Sequence, residues 1–111
     1  MKPFIQDGHT LALRAVRTLI GDKASLVVEA ITTTDWASAT FVGKHHHCEL
    51  RIEGLRGKVS TAIDRLTRSL SEVEVSASGY FLADCALVTF DVSLEGEGVA
   101  TIVVEALTIE E

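Results

Sequence analysis

DWASATFVGKHHHCELRIEG (residues 35–54) is the stretch whose reading decides the fold. It reads as one long central β-strand, interrupted near Gly43 and the run His45-His46-His47. Ala37, Ala39 and Phe41 place apolar side chains at odd positions, whereas Cys48, Leu50 and Ile52 place them at even ones. Side chains in a strand change face at every residue, so one buried face cannot hold both sets without a change of register. A β-bulge between Gly43 and His47 supplies that change, and glycine tolerates the irregular backbone a bulge requires. Without a bulge, Thr40, Val42, His46, Cys48, Leu50 and Ile52 share one face and Phe41 is exposed. The bulged reading is preferred because a second strand shows the same conflict. In residues 99–109, Ala100, Ile102 and Val104 are even, but Leu107 and Ile109 are odd.

Around this strand the apolar periodicity places the other elements. Residues 8–20 form a helix capped by Asp7, with Ala12, Ala15, Val16 and Leu19 on one stripe and Gly21 as its stop. Residues 25–34, SLVVEAITTT, are β-branched and form a first strand, with a turn near Thr34 and Asp35. A second helix spans residues 58–70, with Val59, Ala62, Ile63, Leu66 and Leu70 on its buried stripe. Residues 72–79 are a polar connector with room for a short extended piece. Residues 81–95 form a third strand, Gly96-Glu97-Gly98 a hairpin turn, and residues 99–109 a last strand.

The order helix-strand-strand, stated twice, reads as an internal duplication with repeats at about 8–54 and 58–111. Ala12, Leu13, Val16 and Ile20 correspond to Ala62, Ile63, Leu66 and Leu70, and residues 44–47 become an insertion in the first copy. Short connections favour hairpins, and a pseudo-twofold axis sets the two second strands side by side. The expected fold is a single α+β domain, residues 1–111. It has a four-stranded antiparallel sheet in the order 1-2-4-3 with two helices on one face, a permuted ferredoxin-like arrangement.

Composition narrows the function classes. The 111 residues suffice for one domain with its own core. The apolar share is 47% before its eight glycines are added, above the 45–50% that ordinary domains reach with glycine included, which points to apolar surface buried between subunits. A net charge of −6 argues against general nucleic-acid binding. All ten Lys and Arg lie at or before Arg68, so the chain divides into a +3 part and a −9 part (nine acids, no base). Neither a secretory leader nor a membrane span is expected, because Arg14 and Arg17 interrupt the N-terminal apolar residues. Two cysteines make no disulfide framework, which fits a cytoplasmic protein.

Chemistry-bearing residues concentrate in the central strand. His45, His46, His47 and Cys48 are good ligands for zinc and similar divalent metals. Alternation puts His46 and Cys48 on one face and His45 and His47 on the other, so only two can share a metal, which needs further ligands from His9 or a symmetry mate. A thiolate–imidazole pair of Cys48 and His46 and a buried base at Asp84 are further options, each weaker than a structural role. Arg51, with Arg56, could hold an anion or pair with Glu49 and Glu53. No Gly-rich phosphate loop or nucleophile elbow occurs.

Roofing one sheet face leaves Val27, Ile31, Val42, Val99 and Val103 as interface candidates on the other. The expectation is a small oligomeric binding or structural module with no catalysis of its own, a homodimer or larger ring that binds neither nucleic acid nor membrane. The alternative is a metal- or small-molecule-binding protein, or a minor enzyme, with its site at residues 43–48.

Overall fold

The structure, a computed structural model, describes residues 8–22, 24–77, 79–93 and 98–111. Helix α1 (His9–Ile20) leads into a hairpin of β1 (Ser25–Ala37) and β2 (Val42–Gly54). Helix α2 (Arg56–Ser69) follows, then a 3-10 turn at Leu70–Glu72, a short β3 (Ser76–Ala77), β4 (Tyr80–Ser93) and β5 (Gly98–Glu110). The proposed cap Asp7 and most of the proposed turn at residues 96–98 lie outside the described residues.

All strands pair antiparallel, in the order β1-β2-β5-β4-β3, and the sheet curls as a half-barrel. This overturns the four-stranded, permuted ferredoxin-like expectation. The connector after α2, expected to have room for a short extended piece, uses it as a fifth strand, with Ser76 and Ala77 pairing with Phe81 and Tyr80. Two residues are too few for periodicity to register.

The expected bulge in the central strand is also corrected. Residues 43–54 of β2 pair without a break against residues 98–109 of β5. His46, Cys48, Leu50 and Ile52 are buried in step with Ala100, Ile102, Val104, Ala106 and Thr108, even positions throughout. The conflict of parity arose because Ala37 ends β1 and residues 38–41 form the hairpin turn. There the Ser38 hydroxyl accepts from the backbone N–H of Phe41 at 3.1 Å, and the Phe41 carbonyl accepts from Ser38 N–H at 2.8 Å. Gly43 serves another purpose than a bulge. A Cβ there would run into the backbone carbonyl of Thr108, so glycine permits the close approach of β2 and β5.

The register shifts sit in the outer strands instead, between Val28 and Ala30 in β1 and at two places in β4. Bulges bend a strand and increase its twist, which suits a curled sheet. The duplication fails with them. The second unit holds a 3-10 turn and β3 that have no counterpart among the described residues of the first, and the supposed insertion at residues 44–47 is regular strand.

Both helices cover the same sheet face. α2 buries Val59, Ala62, Ile63 and Leu66, and α1 buries Leu11, Ala12, Ala15 and Val16, all in one cluster with Cys48, Leu50, Ile52, Ile102 and Val104. The helices are short, about 18–21 Å at 1.5 Å per residue. Strands of 13 or 14 residues reach about 43–46 Å and account for the 47 Å long axis. The roof therefore spans the middle of the sheet, and Val42 at the hairpin end and Val28 and Phe90 on the outer strands are left as exposed apolar side chains.

Candidate functional site

Alternation along β2 sends the histidines to opposite faces. His46 points under the helices and is fully buried. Its Nδ1 lies 2.9 Å from the Thr33 hydroxyl on β1 and its Nε2 2.9 Å from the Thr108 hydroxyl on β5. In a neutral ring one nitrogen donates and the other accepts, and a hydroxyl serves either role, so both ring nitrogens are satisfied. His9, at the start of α1, meets this ring edge-on at a centroid distance of 6.4 Å. Above the trio opens a cavity of about 370 Å³, lined in part by His9, Lys44, Tyr80 and Glu110. Lys44 there is held by Asp35 at 2.5 Å. The mouth mixes both charge signs and so selects neither anion nor cation.

Cys48 shares the buried face with His46 but lies in the apolar core. Burial pushes its thiol up to about 11 and that of Cys85 to about 12. Both are free thiols, protonated at neutral pH and so unsuited to nucleophilic attack. His46 and Cys48, the sequence-derived metal pair, thus have a hydroxyl-bonded ring and an apolar-packed thiol. Among the described residues no group of three or more His, Cys, Asp or Glu is arranged to hold a metal ion.

His45 and His47 face the open side of the sheet. His45 Nε2 lies 2.7 Å from one oxygen of Glu105 on β5, and His47 Nδ1 bonds the other oxygen. Glu49 approaches the far side of His47 at 3.5 Å. The bond to Glu105 holds the His47 imidazolium above its usual range, against partial desolvation. Arg51 binds Glu53 through Nε at 2.6 Å and Glu29 through a terminal nitrogen, which occupies the guanidinium that was a candidate anion ligand. Asp84 is exposed opposite Leu107 and is not the buried base that its apolar neighbours suggested.

The interface candidates divide between the faces. Val27, Val99 and Val103 pair with Arg51, Glu53 and Glu49 and stand on the open face. Ile31 pairs with Cys48 and packs against the core, because the shift after Val28 reverses the parity of β1. Val42 is half exposed at the hairpin end. The open face is an ion-paired lattice with scattered valines rather than a second oily side. Glu105, Thr33 and Thr108 were invisible in the sequence as functional partners. Their only signal is cross-strand register, which places Glu105 opposite His47.

No protein-family model and no curated protein matches the chain. Among solved structures, a chain in the virion of a native gene transfer agent particle has a similar fold. The TM-score is 0.58 at 12% sequence identity, over 94% of this chain and 95% of that one. Among the described residues no helix is long and apolar enough to cross a membrane.

Proposed function

We propose that this protein is a non-catalytic structural subunit that assembles with copies of itself into a larger, virus-like particle. The observation that carries this reading is the end-to-end likeness to a virion chain, which leaves almost no residue of either chain outside the shared fold. The chemistry of the site supports it. The thiols are buried and protonated, the buried imidazole is fully bonded, and the exposed histidines and arginine are engaged by glutamates. Such networks order a surface without leaving a poised nucleophile. Light scattering coupled to size exclusion tests the reading: the expected mass is a multiple of the 12.0 kDa chain, rising with concentration. A single-chain mass at about 1 mM, an association weaker than ~4 kcal/mol, would overturn it.

A second reading rests on the 370 Å³ cavity beside Gly43 and Lys44, which falls within the size range of small-ligand pockets. A bound small molecule carried through purification and lost from a His9→Ala variant would favour it.

A further inference from the structure

The edges of the sheet, rather than its open face, carry a feature that asks for a partner. One apolar row crosses the helix-covered face from edge to edge: Val28 on β1 opposite Leu50, Leu50 opposite Ile102, and Ile102 opposite Phe90 on β4. The two central members are 1% exposed, whereas Val28 is 41% and Phe90 51% exposed. The next row, Leu26, Ile52, Ala100 and Val92, likewise begins and ends on side chains only partly covered. The core is thus cut open at both edges along the same rows.

The edge backbones are compatible. Among the described residues, β1 is one edge, and β3 shields β4 only beside Tyr80 and Phe81, which leaves residues 83–93 as the opposite edge. Three successive antiparallel pairings make β1 and β4 run in opposite directions. A second copy in the same orientation therefore sets its β4 antiparallel to the first copy's β1, the pairing that extends the sheet. An exposed edge strand with unpaired N–H and C=O groups is a template for such addition.

We infer that β1 of one copy pairs with β4 of the next, with Val28 beside Phe90 and Leu26 beside Val92, so that a head-to-tail contact joins the two cores. The contact is short. The shifts after Val28 in β1 and between Leu87 and Thr89 in β4 bend both strands away beyond this segment. A heterologous contact of this kind closes a ring or grows a filament, as its rotation dictates. The inference rests on the structural-subunit reading and names the surface that reading would use.

Two single variants test it, Val28→Lys and Phe90→Lys, both at partly exposed positions. Each alone is expected to fall to the mass of one chain, with an unchanged circular dichroism spectrum. Their mixture is expected to give a one-to-one dimer, because each retains the edge that the other has lost. A chain carrying Val28→Cys and Phe90→Cys, oxidised in the multimer, is expected to give a ladder of covalent multimers, and either single cysteine none. Multimers that persist in both lysine variants, with no ladder, overturn the edge contact and leave the structural-subunit reading standing. A Phe90→Lys variant that stays dimeric beside a monomeric Val28→Lys variant also overturns it, in favour of a symmetric β1–β1 contact. A monomeric unmodified protein removes both.

Discussion

His46 shows how one polar side chain can be built into an apolar core. Its ring is wholly buried, and its two nitrogens are matched by hydroxyls from the two flanking strands. Thr108→Val removes one of these partners without changing the side-chain shape. The expected cost is about 1–3 kcal/mol, read as a lower denaturant midpoint at constant slope. Gly43→Ala forces a methyl group against the Thr108 carbonyl and is expected to cost about 1–3 kcal/mol by the same assay. On the open face, His47 is held above its ordinary value of 6.5 by Glu105. A raised value in the folded state means that the stabilisation is full below the unfolded histidine range and is lost as pH rises through the folded value. Melting temperature should therefore fall across that window on the alkaline side of 6.5. Glu105→Gln should flatten the fall, and an unchanged profile in that variant would remove Glu105 as its cause.

At the scale of elements, the sheet separates two covered strands from two uncovered edges. Leu50 on β2 and Val28 on β1 stand side by side, yet one is 1% and the other 41% exposed. Leu50→Ala opens a cavity beneath the helices and is expected to cost about 2–5 kcal/mol. Val28→Ala in an isolated chain should cost about 1 kcal/mol or less, since water already reaches that site. The contrast is read from paired denaturation curves of dilute protein. Equal costs would mean that the edge is covered within a single chain, which would remove the reason for a neighbour.

For the whole molecule, the single core predicts one cooperative unfolding event. Cys48 on β2 and Cys85 on β4 belong to the same buried cluster and have no disulfide partner. Both should react with a maleimide at one common rate, that of global opening, as followed by mass spectrometry. A Cys85 that reacts well ahead of Cys48 would show that the β3–β4 side opens by itself. The separation of charge along the chain, +3 through Arg68 and −9 after it, is bridged within this body where His45 and His47 of β2 hold Glu105 of β5. Arg51 of β2 instead holds Glu29 and Glu53 of its own part.

What the sequence determined by itself is local. The stripe Val59, Ala62, Ile63, Leu66 and Leu70 is the buried side of the second helical segment, because a period near 3.6 is written in every turn. The same holds for Ala12, Ala15 and Val16 in the first helix. What only the tertiary structure decided is register. Ala39 and Phe41 look like strand residues, yet a serine-anchored turn claims them, and the parity of β2 never breaks. The shift that periodicity assigned to Gly43 sits beside Glu29, where no local residue type announces it, and it carries Ile31 to the covered face. Glu105 meets His47, and Thr108 meets His46, across separations of 58 and 62 residues. Such meetings are set by which strands pair and where they slide to a stop, a balance of packing across the whole sheet that no short window of sequence contains.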